Sequence, residues 1–246
     1  MCTLTVAWQA FADAPVLVAA NRDERYSRPA AEPALHEGER RVVAPTDGEA
    51  GGTWLGYNDA AVVAALTNRW APTDGRDRSR GLLVREALDQ GSAEDAARHV
   101  ERDLDANRYD GFYLLLADAA ACLLVEYDGG PRVHRLDPGV HVVMNVGFDD
   151  GYFLPPGREE PARRQAESGR LLREHLRPEP GSTPEDWLDR AAGALGNHEF
   201  GVCVHGDGFG TRSSSLLEVD SAGRGRFWFA DGPPCETAFE EVEARA

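Results

Sequence analysis

Apolar and polar positions along the chain follow two different periods, and the switches between them outline the elements. Over residues 3–9, Leu4, Val6 and Trp8 alternate with Thr3, Thr5 and Ala7, the period-2 pattern of a half-buried strand. Cys2 has the parity of Leu4, Val6 and Trp8, so it faces inward if the pattern extends back. After the turn ADAP (12–15), the apolar run VLVAA (16–20) predicts a second strand that closes a hairpin. Tyr26 to Gly52 reads as loop-rich, with a short strand at VVAP (42–45). TWLGYN (53–58) and AVVAALTN (61–68), separated by two residues, predict a further hairpin.

The period then changes. Leu82, Leu83, Val84 and Leu88 predict a helix over 79–90 that Gly91 ends, and Ser92 with Asp95 forms a capping signal for the next helix. FYLLLADA (112–119), ACLLVEY (121–127), RVHRL (132–136) and GVHVVMN (139–145) predict four strands, and their short turns fit a meander. The Arg/Glu-rich span 159–176, with Leu171, Leu172 and Leu176, predicts a helix. Thr183-Pro184-Glu185-Asp186 opens another, with a cap, a proline at the first position and an acid at the third. SSSLLEV (213–219) and GRFWFAD (225–231) predict a closing hairpin. Runs of strands separated by helix pairs favour α+β layering over a parallel sheet. The expected architecture is two antiparallel sheets packed together with helix pairs outside. No composition break divides the chain, so residues 1–246 are read as one domain.

Composition narrows the function classes. The chain has 246 residues, 42% of them hydrophobic, enough for a substantial core. All 26 basic residues are arginine, and the formal charge is −16. Such a surface repels phosphate backbones and anionic lipid, so nucleic acid and membranes are not expected partners. No apolar run approaches 18 residues and no leader pattern opens the chain, so a cytoplasmic location is expected. The oligomeric state is not legible. The four cysteines, Cys2, Cys122, Cys203 and Cys235, form no CxxC pair. Cys203 and His205 supply two metal ligands without a third at useful spacing, so no metal is expected.

Four groups of residues have the chemistry of a site. If Met1 is removed, Cys2 carries both a thiol nucleophile and an α-amine that can serve as its general base; otherwise it is a small hydrophobe at a strand start. NRDER (21–25) places four charges directly after an apolar strand. Arg22 can favour a thiolate, and Asp23 or Glu24 can hold an ammonium. By alternation Asn21 and Asp23 share one face and Arg22 and Glu24 the other; the alternative is a solvated strand end with a surface ion pair. Asn68 and Asn145 end apolar strands, where a side-chain N–H can stabilise an oxyanion or simply make a turn. GTRSSSLL (210–217) offers Arg212 to a carboxylate.

Taken together, the Met-Cys-Thr start, NRDE at 21–24, GGTWLG at 51–56, ALTNRW at 65–70, Asn145 and GTRSSS at 210–215 resemble the NRDE family, also called the transport and Golgi organization 2 family. The resemblance runs from residue 1 to about residue 230. That family is similar to the N-terminal nucleophile hydrolases, in particular the conjugated bile acid hydrolase and penicillin V acylase branch. The resemblance implies an αββα sandwich and a catalytic Cys2 exposed by methionine removal. It also implies that Arg22 and Asp23 lie beside the nucleophile, with Asn68 and Asn145 at the oxyanion and Arg212 late in the chain. In that branch the early Arg and Asp stand three apart, whereas here they are adjacent, so Asn21 and Glu24 stay candidates for the same roles. Trp54 and Trp70 are candidates for the pocket wall and equally for the core. The expected activity is hydrolysis of a non-peptide C–N amide bond through a thioester, without a cofactor. The alternative implied by the eukaryotic relatives is a haem or acyl-CoA carrier. For haem, His36, His141, His198 and His205 are available as ligands; for the phosphates of acyl-CoA, Arg76, Arg78 and Arg80 are the local cluster.

Overall fold

The computed structural model describes residues 2–246. The opening alternation builds Cys2–Trp8 (β1), which the hairpin turn returns as Val16–Arg25 (β2). Ala30–His36 (β3), Val42–Asp47 (β4), Leu55–Asn58 (β5) and Val63–Asn68 (β6) follow. Next come two helices, Arg80–Ala87 (α1) and Ala93–Ala106 (α2). Phe112–Ala117 (β7), Cys122–Tyr127 (β8), Pro131–Arg135 (β9) and Gly139–Met144 (β10) precede two short strands, Gly147–Phe148 (β11) and Gly151–Tyr152 (β12). Glu159–His175 (α3) and Pro184–Gly196 (α4) lead to Phe209–Val219 (β13), Gly225–Ala230 (β14) and Glu240–Glu241 (β15). The helix starts follow the capping chemistry of the sequence: Ser92 caps α2, and Thr183 with Asp186 forms a reciprocal capping box on α4.

The strands form two antiparallel sheets. One has the order β12-β11-β10-β1-β2-β13-β14-β15 and the other β3-β4-β5-β6-β7-β8-β9. Alternation sorts the side chains of each strand between two cores. Leu4, Val6 and Val18 from the first sheet meet Val43, Leu115 and Leu124 from the second. On the far side of the first sheet, Ala7, Leu17 and Ala19 pack against Leu172, Trp187 and Leu195 of α3 and α4. On the far side of the second, Ala64, Leu114 and Leu116 pack against Leu83, Val84 and Val100 of α1 and α2. The result is the expected four-layer αββα sandwich, with β1 and β2 at the centre of one sheet.

Three elements differ from the sequence reading. NRDER does not follow a strand but lies inside β2, because β13 runs beside it from Val16↔Val219 to Arg25↔Phe209. The stretch read as loop contains β3, whose Pro33 hides it; a proline is tolerated because β3 is an edge strand, and the register shifts between Ala31 and Ala34. The four-strand meander stops at three. After β9 the turn at Asp137–Gly139 carries the chain to the other sheet, where β10 pairs with β1 from Leu4↔Val143 to Trp8↔Gly139.

Candidate active site

Cys2 heads β1 directly opposite Arg22 of β2, so both side chains leave the same face of the sheet. They open into a cavity of about 130 Å3 between the two sheets, lined also by Asp23, Glu24, Trp54, Asn68 and Arg80. The guanidinium of Arg22 lies 4.2 Å from the centre of the Trp54 ring, a cation–π contact, and 4.0 Å from the Glu24 carboxylate. Glu24 also stands 3.8 Å from Arg28, so it balances the cations of the cavity rather than facing the Cys2 nitrogen.

Adjacent residues on a strand point to opposite faces, and this separates the roles of Arg22 and Asp23. Asp23 turns towards β13, where the Thr211 hydroxyl donates to its Oδ1 at 2.6 Å. The bulge between Thr211 and Ser213 lies opposite this pair and sets the Thr211 side chain against Asp23. Gly210, just before the bulge, has no room for a side chain: a Cβ there would lie 2.4 Å from the carbonyl oxygen of Val204. Asn21 points away from the cavity towards α4. It donates to the carbonyls of Leu195 and Val202, both at 3.0 Å, and accepts from the Ser214 hydroxyl at 2.6 Å.

The two asparagines separate as well. Asn145 is fully buried beneath the Cys2 nitrogen, whose N–H donates to Asn145 Oδ1 at 3.1 Å. Gln165 of α3 donates to the same oxygen at 3.0 Å, and Asn145 Nδ2 donates to the Asn68 carbonyl at 2.6 Å. The Asn145 amide is thus committed to the nucleophile's nitrogen and to β6, not to the cavity. Asn68 lines the cavity beside Cys2.

The opposite wall is built by a close backbone approach. Gly52 of GGTWLG packs on the start of α1, and a Cβ there would lie 2.1 Å from the carbonyl carbon of Gly81. Thr53 N–H donates to the Gly81 carbonyl at 3.0 Å. This contact delivers Arg80 to the cavity, where its Nη1 donates to the Gly111 carbonyl at 2.8 Å. Among the described residues no carboxylate lies within 4.0 Å of the Arg80 guanidinium.

Other expected residues lie elsewhere. Arg212 is ion-paired with Asp231 and does not line the cavity; the bulge turns Thr211, not Arg212, inward. Trp70 also lies outside it, under the Arg158 guanidinium at 5.0 Å. None of His36, His141, His198 or His205 reaches the cavity. The sequence reading does not point to Thr211 or Gln165, and it names Arg80 only as part of the phosphate-binding cluster with Arg76 and Arg78, all three of which line the cavity beside Cys2. Thr211 has a local signal in its place within GTRSSS, and Arg80 in the cluster with Arg76 and Arg78; Gln165 sits in a helix whose register on the sheet is not written in the sequence.

The electrostatics of the cavity favour a protonated thiol. Burial pushes the Cys2 thiol above its ordinary value, the Asp23 charge adds to this, and the nearby Arg22 charge only partly opposes it. Burial pushes the Asp23 carboxyl up to about 6, against the pull of the Thr211 hydrogen bond. The folded state therefore holds this proton more tightly than the unfolded chain, whose Asp titrates near 3.9. The stability from Asp23 is full below about pH 4 and is lost as pH rises through about 6. Asp23→Asn keeps the acceptor for Thr211 but does not ionise. Between pH 4 and pH 7 it is expected to gain on the wild type by about 2–3 kcal/mol in urea denaturation, and a gap that stays flat with pH would refute this.

Two facing antiparallel sheets between helix pairs, with a cysteine heading a central strand, form the fold of the N-terminal nucleophile hydrolases. The structure superposes on a variant of the conjugated bile acid hydrolase from Clostridium perfringens with a TM-score of 0.63 at 11% identity, covering 98% of this chain and 92% of that one. It superposes on the Caenorhabditis elegans ortholog of N-acylethanolamine-hydrolyzing acid amidase with a TM-score of 0.56 at 13% identity, covering 88% and 92%. Within that fold the chain belongs to the transport and Golgi organisation 2 family, whose model matches residues 1–229. It is 28% identical over 235 residues to the human transport and Golgi organization protein 2 homolog, covering 86% of this chain and 84% of the relative. The Bos taurus homolog is 31% identical over 241 residues with the same coverage. Among the described residues no helix is long and apolar enough to cross a membrane.

Proposed function

We propose that the protein, once Met1 is removed, is a cysteine amidohydrolase acting on a non-peptide C–N bond. The observation that carries this reading is the position of Cys2: its side chain opens into the cavity beside Arg22, while its nitrogen sits on Asn145 Oδ1 at 3.1 Å. A thiol held protonated by burial needs a base at the moment of attack, and an α-amine on the same residue is that base. Asn145 and Asp23 orient the amine. The sulfur adds to the amide carbon, the thiol proton passes through the amine to the leaving nitrogen, and the C–N bond breaks to leave a thioester. Water then cleaves the thioester to a carboxylic acid and restores the thiol. Asn68 donates to the oxyanion of both steps; Asn145, already bonded to the Asn68 carbonyl, supports it from behind.

Arg80, which among the described residues has no carboxylate within 4.0 Å, favours a substrate with an acidic group near the scissile bond. A cavity of about 130 Å3 is smaller than the roughly 300–1,000 Å3 that enclose whole drug-sized ligands, so it takes the reacting end of the molecule. The same cations suit a carrier of an acidic amphiphile, and binding of acidic N-acyl amides without release of amine would decide for the carrier. Two measurements test the enzyme. Intact mass of the purified protein is expected to be short by one methionine, and retained Met1 would overturn the mechanism. Arg80→Ala is expected to raise KM for acidic amides about 10- to 100-fold with kcat within a few-fold, and an equal effect on neutral amides would remove the charge argument.

A further inference from the structure

A second cluster of reactive side chains lies outside the cavity lining. The loop that follows α4 carries His198, Cys203 and His205, and the segment after β14 brings Cys235 to them. All four ligand atoms lie within 4.8 Å of one another. Cys203 Sγ is 3.5 Å from both Cys235 Sγ and His205 Nε2, and His205 Nε2 is 3.1 Å from Cys235 Sγ. With Zn–S bonds of about 2.3 Å and Zn–N bonds of about 2.0–2.1 Å, tetrahedral ligands stand about 3.3–3.8 Å apart. The three spacings among Cys203, His205 and Cys235 are close to that set, and the His198 ring, within 4.8 Å of them, has to rotate inward to complete it. We propose that His198, Cys203, His205 and Cys235 bind one divalent zinc-like ion in a tetrahedral Cys2His2 site.

The donor chemistry selects the ion. Two thiolates and two imidazoles suit zinc and exclude the hard cations magnesium and calcium, which take oxygen. Two thiolates neutralise the divalent charge, and the net −16 of the chain draws cations to an accessible site. His198, His205 and Cys235 are exposed, so an ion has a path in, while Cys203 is buried and fixed on the fold. Sequence spacing shows only the Cys203–His205 pair, and the expectation of no metal followed from it, because Cys235 joins the set from thirty residues beyond His205.

The position gives the ion a mechanical role. It would pin the segment after β14 to the loop before β13. One residue beyond Cys203, the Val204 N–H donates to the Thr211 hydroxyl at 2.9 Å, and that hydroxyl donates to Asp23 at 2.6 Å. The ion therefore stiffens the support of Asp23 without touching the cavity.

Cobalt titration of metal-free, reduced protein tests the site. One equivalent of Co2+ is expected to give the visible bands of a tetrahedral centre and the near-ultraviolet charge-transfer band of cobalt–thiolate bonds. Zn2+ alone is expected to displace it at one equivalent and to raise the melting temperature, and chelation to lower it again. Cys235→Ser, in an exposed segment that does not build the core, is expected to weaken Co2+ binding about 100-fold or more and to remove the Zn2+ effect on melting. Cys122→Ala and Cys2→Ser are expected to leave the charge-transfer band intact. Absence of that band, its appearance in Cys235→Ser at undiminished intensity and affinity, or a Cys203–Cys235 disulfide that persists in reduced protein would each overturn the proposal.

Discussion

Cys2→Ala is expected to lower kcat for acidic N-acyl amides by at least about 10^4-fold while leaving substrate affinity within about threefold. The substitution removes the only group placed to form the thioester. It leaves Arg22, Arg80, Trp54 and Asn68 where they line the cavity, so the ground-state contacts persist. Cys2→Ser is the sharper variant. Its hydroxyl occupies nearly the same space, but it is a far weaker acid than a thiol already held above its ordinary value by burial. It should therefore fall almost as far in kcat while melting within a few degrees of the wild type. Released amine measured under saturating substrate, with binding followed separately by calorimetry, checks the prediction. Equal turnover in wild type and both variants would place the chemistry elsewhere, and would leave Cys2 a packing residue at the head of β1.

The largest expected effect on stability comes from Gly52→Ala. The new Cβ would lie 2.1 Å from the carbonyl carbon of Gly81, 2.4 Å from its oxygen and 2.5 Å from the Leu82 nitrogen. All three are backbone atoms, so no flexible side chain can yield, and the first turn of α1 has to move off β5. That movement breaks the bond from Thr53 N–H to the Gly81 carbonyl, and overpacking of this kind costs about 3–4 kcal/mol. The neighbouring glycine is the control. Gly51 has open space around its Cβ position but a φ of +71°, so Gly51→Ala costs only the left-handed backbone strain, about 1 kcal/mol. Denaturant titration of both variants tests the contrast. Because Arg80 is one residue from the contact, Gly52→Ala is also expected to raise KM for acidic amides in whatever fraction stays folded.

Layering was legible because periods of two and of 3.6 are local, and caps such as Thr183 with Asp186 mark helix starts within four residues. The β1–β2 hairpin was legible too, but not its register: the connection from residue 9 to residue 15 is too long to fix it, and only the pairing shows Cys2 opposite Arg22. What stayed hidden depends on distant partners. β10 resembles the fourth strand of a meander until its pairing with β1 is known, and NRDER looks like a strand end until β13 is laid beside it. Arg212 stands out where Thr211 does not, because charge is visible in a sequence and a bulge is not. The orientation of Asn145 follows from Gln165, which arrives on a helix whose rotation is set only by packing.

The order of strands around β1 also sets a timetable for processing. The chain emerges from the ribosome with β1 first, yet the partners that flank the β1–β2 hairpin, β10 and β13, are translated more than a hundred residues later. At roughly 5–20 residues per second, the newborn amino terminus spends on the order of ten seconds or more beside a hairpin too small to be stable alone. An aminopeptidase can trim it during that interval. Once β10 docks, Asn145 closes beneath the Cys2 nitrogen, so the methionine removal that the proposed mechanism requires belongs to the interval before that docking.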